Sequence, residues 1–181
     1  NNRDYSTCFE DEDGDGFGAS EQIIDSLCAE AGLAEIGGDC DDTRDDVYPG
    51  ADELACDGVD RNCDEQWQAS VPTTCPTIQA ALDAAASTGI EGVVDVDPGV
   101  YRENIAFNGA HIHLRGAGPE TTTIQSSSDT TVVRFDAGED DRSILEGFTI
   151  TGGSGFDEGG SRVGGGIYVN NADPALRNLV V

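Results

Sequence analysis

Asp11, Asp13 and Asp15 alternate along the run Asp11-Glu12-Asp13-Gly14-Asp15-Gly16-Phe17-Gly18. Carboxylates at every other residue of a tight loop are suited to wrapping a hard cation in oxygen. Calcium takes about 6–8 oxygens, and a loop with Asp at relative positions 1, 3 and 5, Gly at 6 and a carbonyl at 7 supplies most of them. Those places fall here on Asp11, Asp13, Asp15, Gly16 and the Phe17 carbonyl. Position 12, where a bidentate Glu would close the loop, is Gln22, and the nearest carboxylate, Glu21, stands one residue early. Further ligands are therefore expected from elsewhere. A second acidic segment offers Asp39, Asp41, Asp42, Asp45 and Asp46, and a third offers Asp57 and the alternating Asp60, Asn62 and Asp64, which suit a second loop. The expected metal ligands are Asp11, Asp13, Asp15, Phe17, Glu21, Asp39, Asp41, Asp42, Asp46, Asp57, Asp60, Asn62 and Asp64, holding two or more Ca2+ ions.

Charge narrows the possible partners. Residues 1–65 carry 21 Asp and Glu against three Arg, and residues 66–181 carry 15 against six, giving a formal net charge of −27 for the chain. Lys is absent altogether. The basic patches that nucleic acid or an anionic membrane surface requires are missing, so neither is expected as a partner. No apolar stretch reaches the length of a membrane-spanning helix.

A run of like charge is commonly a solvated tail. The cysteines argue otherwise here, because Cys8, Cys28, Cys40, Cys56, Cys63 and Cys75 all fall within the acidic part or just after it. An even number confined to one segment reads as a disulfide framework formed in an oxidising compartment. Zinc is a poor fit, since His111 and His113 both lie elsewhere and no CxxC pair exists. The chain begins at Asn1 without a signal peptide, which reads as a mature, exported fragment, extracellular or at the cell surface.

Ile23, Ile24, Leu27, Cys28 and Ala31 recur at three- and four-residue spacing, which predicts a helix over 20–31 with Ser20 as its N-cap and Gly32 as its stop. The acidic loop would then be half of a helix-loop-helix calcium unit. Residues 67–75 read as a connector. A short Ala-rich helix follows, starting near Pro76, with Ile78, Ala81, Leu82 and Ala85 as its apolar stripe and Gly89 as its end.

The runs Asp13-Gly14-Asp15-Gly16-Phe17-Gly18, Gly38-Asp39-Cys40-Asp41-Asp42, Tyr48-Pro49-Gly50-Ala51 with Glu53, and Cys56-Asp57-Gly58-Val59-Asp60-Arg61-Asn62-Cys63-Asp64 resemble the MopE-type metal-binding repeat of secreted bacterial proteins. The resemblance covers roughly residues 8–65. That family closes its last loop with Asp-Gly and a further acidic pair, whereas this chain has Asp64-Glu65-Gln66-Trp67.

Beyond residue 90, apolar residues alternate in short stretches: Val94 and Val96, Ile112 and Leu114, Ile124, Val133 and Phe135, Phe148 and Ile150, Ile167 and Val169, Leu179 and Val181. Turn residues punctuate them, as at Asp97-Pro98-Gly99 and Asn171-Ala172-Asp173-Pro174. Leu145-x-x-Phe148-x-Ile150 returns as Leu176-x-x-Leu179-x-Val181. Repetition on this scale points to stacked units, with the Gly-rich stretch 152–166 as a flexible loop bulging from one rung. Thr77-Ile78-Gln79-x-Ala81, Val96-Asp97-Pro98-Gly99-Val100-Tyr101-Arg102-Glu103-Asn104-Ile105 and Ile112-His113-Leu114-Arg115-Gly116-Ala117-Gly118 resemble the opening of right-handed parallel β-helix proteins of the pectin-lyase-like superfamily. The resemblance implies a solenoid over 76–181 whose N-terminal end is capped by the helix.

Catalysis has little to rest on. Pectin methylesterases share the Gly-x-Tyr-x-Glu pattern found here at Gly99-Val100-Tyr101-Arg102-Glu103, yet their catalytic acids lie further along the solenoid than this chain reaches. Glu103 is therefore expected to be structural. His111 and His113 share a strand face that points to solvent if Ile112 and Leu114 point inward, and the adjacent Arg115 discourages a metal there. No GxSxG element exists, since Gly152-Gly153-Ser154-Gly155-Phe156 fails at its last place. For sugar stacking only Trp67, Phe156 and Tyr168 are expected to be accessible.

The sequence thus leads to a mostly β protein in three parts: an acidic, disulfide-stapled calcium module over 1–66, a connector over 67–75, and a parallel β-helix over 76–181. The expected role is structural and non-enzymatic. Self-association through the β-helix ends, even into filaments, is expected because Val181 falls inside an apolar strand with no cap after it. The alternative is the N-terminal part of a polysaccharide-binding or polysaccharide-processing protein.

Overall fold

The computed structural model describes residues 6–20, 22–25, 28, 31–53 and 55–181. Among the described residues the fold is mostly β with one short helix, and the chain divides into two compact units: Asn1–Glu53 with Asp60–Glu65, and Leu54–Val59 with Gln66–Val181.

The first unit is built from short strands. These are β1 (Ser6–Glu10), β2 (Phe17–Gly18), β3 (Gln22–Asp25), β4 (Leu33–Ala34) and β5 (Ile36–Gly37). β1 lies between β3 and β4 in an antiparallel sheet, and β2 pairs with β5 in parallel. The helix expected over 20–31 is overturned across its described core, because β3 occupies Gln22–Asp25 with Cys8 opposite Ile23 and Thr7 opposite Ile24. Residues 21, 26, 27, 29 and 30 of that span lie outside the described residues. Two adjacent β-branched residues favour a strand, and the Cys8–Cys28 disulfide ties the segment to β1. The helix-loop-helix reading fails with it.

Three disulfides join Cys8 to Cys28, Cys40 to Cys63 and Cys56 to Cys75, and no described cysteine is free. Each closes a loop of 19–23 residues, worth about 3 kcal/mol apiece in the chain-entropy account.

The first strand of the second unit is β6 (Trp67–Val71), in the span expected to be a connector. Trp67, Ala69 and Val71 are buried, and Gln68 is exposed between them. This is period-2 alternation that the acidic surroundings obscured. Trp67 is fully buried, which corrects the expectation that it is accessible for stacking.

Helix α1 (Ile78–Thr88) follows. Thr77 caps its first turn by accepting the Ala80 amide, Gly89 ends it at φ 71°, and Ile78, Ala81, Leu82 and Ala85 are all fully buried, as the stripe predicts. Glu103 lies at the helix N-terminus, where its Oε1 accepts the Ile78 amide (3.1 Å) and its Oε2 the Gln79 amide (3.0 Å). A carboxylate there satisfies two otherwise unpaired donors and complements the helix dipole. Glu103→Gln should cost the second unit about 1–2 kcal/mol in thermal unfolding, because a neutral amide satisfies these donors less well.

The remaining strands are β7 (Gly92–Val96), β8 (Gly99–Arg102), β9 (Ile105–Ala106), β10 (Ile112–Gly116), β11 (Thr122–Gln125), β12 (Val133–Phe135), β13 (Ile144–Glu146), β14 (Thr149–Thr151), β15 (Phe156–Glu158), β16 (Ser161–Val163), β17 (Ile167–Val169) and β18 (Ala175–Arg177). Together with β6, all of these but β15 and β16 form three parallel sheets, ordered β6-β7-β10-β13-β18, β8-β11-β14 and β9-β12-β17. The chain visits the three sheets in one fixed order in successive rounds. Register stacks like on like: Ala69, Val94, Leu114, Leu145 and Leu176 fall in line across the first sheet, and Tyr101, Ile124 and Ile150 across the second. The repeat of Leu145 at Leu176 is thus a register contact. Phe107 and Phe135, both fully buried, have ring centroids 4.3 Å apart.

Two sequence expectations change here. The Gly-rich stretch holds an antiparallel hairpin, β15 with β16, because its non-glycine residues cluster into two short runs able to pair. Leu179–Val181 forms only an isolated bridge from Val180 to Thr149. Among the described residues, no helix is long and apolar enough to cross a membrane.

Candidate metal centre

The acidic loop of the first unit is shaped by its own aspartates. Asp11 Oδ1 accepts the Gly14 amide (2.7 Å), Asp13 Oδ1 the Asp15 amide (3.1 Å) and Asp15 Oδ1 the Phe17 amide (2.8 Å). Each carboxylate uses one oxygen to bend the backbone that follows it, the Asx-turn habit of this residue. Gly14 and Gly16 sit at φ 84° and 98°, where a side chain is strained. The backbone holds the loop at both ends, since the Asp11 amide donates to the Gly32 carbonyl (3.0 Å) and the Ala19 amide to that of Glu10 (2.8 Å).

The second segment reaches the same place through the pairing of β2 with β5. Just after β5, the Asp39 amide donates to the Gly18 carbonyl (3.0 Å), and Asp39 Oδ1 accepts the Asp41 amide (2.8 Å). The Glu12 amide donates to Asp42 Oδ1 (3.1 Å) across 30 residues. This pairing needs close backbone approach: a Cβ on Gly37 would collide with the Phe9 ring. Phe17 stacks on Tyr48 with centroids 5.1 Å apart.

Two carboxylate triads result, Asp11 with Asp13 and Asp15, and Asp13 with Asp39 and Asp42, the donor atoms of each lying within 4.8 Å of one another. That spread matches the width of one calcium coordination sphere at oxygen distances of about 2.3–2.6 Å. The remaining oxygens are the telling ones. Oδ2 of Asp13, Asp15 and Asp39 is buried with no hydrogen-bond partner, and Asp39 is only 4% exposed. Burial pushes the Asp13 and Asp39 carboxyls above their ordinary value of 3.8, and the neighbouring carboxylates add to this. No Arg or His among the described residues is ion-paired with any of the five. Buried acceptors of one charge sign without donors are costly, and a metal ion is a group that would satisfy them.

The other expected ligands are placed differently. Asp46 is engaged by Arg44 (3.0 and 2.8 Å) and by Arg61 Nε (3.1 Å), and the Arg44 hydrogen bond above all holds its carboxyl below the usual value. Asp41 accepts the Thr43 hydroxyl. Asp60 accepts the Asp64 and Glu65 amides, and Asn62 also accepts that of Asp64. Asp57 is exposed and belongs to the second unit, where it accepts the Val59 amide. Glu21 lies outside the described residues.

A carboxylate missing from the expected set is Glu53. Its Oε1 accepts the Arg61 (2.6 Å) and Asn62 (3.2 Å) amides, its Oε2 is buried without a partner, and burial raises its pKa. It stands apart from the alternating runs, and only the resemblance to the metal-binding repeat pointed to it.

The grouping of Asp39 with Cys40 and Cys63 offers no thiolate, because those two sulfurs form a disulfide. That bond staples the Asp39 segment to the turn at 60–65. Replacing both cysteines by alanine should weaken metal affinity and lower stability by about 3 kcal/mol, which calorimetry with and without metal would measure.

Outside this centre, His113 Nε2 lies 2.9 Å from Glu146 Oε2, and His111 Nε2 lies 3.3 Å from Arg142. Phe156 and Tyr168 are half-buried and meet edge to face, with Arg134 over the Phe156 ring at 5.5 Å.

Among protein-family models, Cu-binding MopE, described as a putative metal-binding motif, matches residues 39–67. No curated protein and no solved structure matches the chain. The metal-binding motif therefore contributes Asp39 and Asp42 to the cluster, whereas Asp11, Asp13 and Asp15 come from chain that precedes the match.

Proposed function

We propose that the first unit is a calcium-binding module of an exported protein, and that the second is a right-handed parallel β-helix of the pectin-lyase-like kind with a structural, non-catalytic role. The observation that carries the calcium reading is the trio of buried, unpartnered oxygens on Asp13, Asp15 and Asp39. The donor set is carboxylate oxygen throughout, which suits calcium or another hard cation better than copper or zinc, whose sites draw on imidazole and sulfur. Both histidines lie in the second unit, and all six cysteines are in disulfides.

A bound divalent ion supplies the positive charge that this acidic unit lacks. The aspartates hold their loop with one oxygen and leave the other inward, so the fold is prepared for the ion before it arrives. Three disulfides support an oxidising, extracellular setting. The repeated visiting of three parallel sheets supports the β-helix, and the engagement of both Glu103 oxygens by α1 supports a structural role for that residue.

Calorimetric titration of the chelator-treated full chain tests the reading. Calcium is expected to bind saturably and in preference to copper(II), and Asp39→Asn to weaken that binding about tenfold or more. Absence of calcium binding, or a clear preference for copper, would overturn it.

A further inference from the structure

Resting on that metal reading, we infer that the cluster holds two cations side by side, with Asp13 as the carboxylate that bridges them. The two triads share Asp13 and no other residue. Asp11 and Asp15 flank it on its own loop, while Asp39 and Asp42 come from the segment after β5.

The Oδ2 atoms of Asp13, Asp15 and Asp39 are all buried without partners, and they divide between the triads: Asp15 belongs to one, Asp39 to the other, Asp13 to both. Asp39, at 4% exposure, bonds the Asp41 amide through Oδ1 and keeps Oδ2 buried without a partner beside the second triad. A single ion in the first triad would leave that oxygen unsatisfied. Charge points the same way, since five ionised carboxylates total −5, and one divalent ion leaves −3 where two leave −1. A carboxylate has two oxygens and about four lone-pair sites, enough to serve two ions. The Glu12 amide bonded to Asp42 Oδ1 ties the two loops together, so filling one site orders the other.

Native mass spectrometry of the full chain, disulfides intact, counts calcium ions in the wild type and three variants. Asp15→Asn and Asp42→Asn should each lose one ion, and Asp13→Asn should lose two, with the lost sites weakened about tenfold or more. Loss of a single ion, or of none, from Asp13→Asn overturns the bridge. Because that variant could fail to fold, a second measurement uses the wild type alone. With terbium(III) and europium(III) loaded together, the terbium lifetime should shorten severalfold through energy transfer to the adjacent europium. An unchanged lifetime overturns the paired site. If the wild type binds no ion at all, the calcium reading itself fails.

Discussion

Stripping the cations with excess chelator is expected to lower the melting temperature of the first unit by tens of degrees, or to leave it unfolded at room temperature. At free calcium a hundredfold above Kd, each site adds about 2.7 kcal/mol, so two sites contribute about 5 kcal/mol. A domain of this size shifts by roughly 4–8 °C per kcal/mol. The unit has little else to lean on, because its strands are two to five residues long and small cores supply only a few kcal/mol. The disulfides restrain the chain but do not relieve the repulsion among Asp11, Asp13, Asp15, Asp39 and Asp42. Calorimetry would record the shift, and hydrogen exchange should speed up at the amides of Gly14, Asp15, Phe17 and Asp41, which donate to these carboxylates. Identical melting and exchange with and without chelator would refute a structural role for calcium.

Acid should act on the unit in opposite directions with and without calcium. The Asp13 and Asp39 carboxyls are raised, chiefly by burial, above an ordinary value of 3.8. A group with a raised folded pKa binds its proton more tightly in the folded than in the unfolded state. Without cation, stability therefore rises as pH falls from neutral through the folded values, and the gain is complete below about 3.8. With calcium present, protons compete for the same oxygens, so the same acidification removes the cations and with them the roughly 5 kcal/mol they provide. Melting curves between neutral pH and pH 4, in calcium and in chelator, should slope oppositely. Parallel slopes would show that these carboxylates do not hold the ion.

The local geometry of the candidate metal centre was legible in the sequence. Alternating aspartates with Gly14 and Gly16 can bend only so many ways, and the predicted Asp11, Asp13 and Asp15 set is the first triad. The apolar stripe of α1 and the alternation at Val94, Ile112, Leu114, Val133 and Phe135 were likewise local signals, because period and burial are linked within one element. Ile23 and Ile24 were misleading. In so short a window their spacing fits a helix as well as a strand, and the partner that decides between them, β1, is distant in sequence.

Acidic side chains all look alike as letters, and the tertiary structure sorted them. Asp46 went to Arg44 and Arg61, Asp60 to the amides of its own turn, and Asp39 and Asp42 to the loop at Asp11–Asp15. Trp67 and the Oε2 atom of Glu53 became buried through contacts distant in sequence. The letters alone establish an acidic, cysteine-rich part dense in carboxylates and a part made of short alternating strands. Which carboxylates converge and which are neutralised follows from folding, because desolvation and repulsion depend on distance in space, and the β2–β5 pairing brings Asp39 beside Asp13.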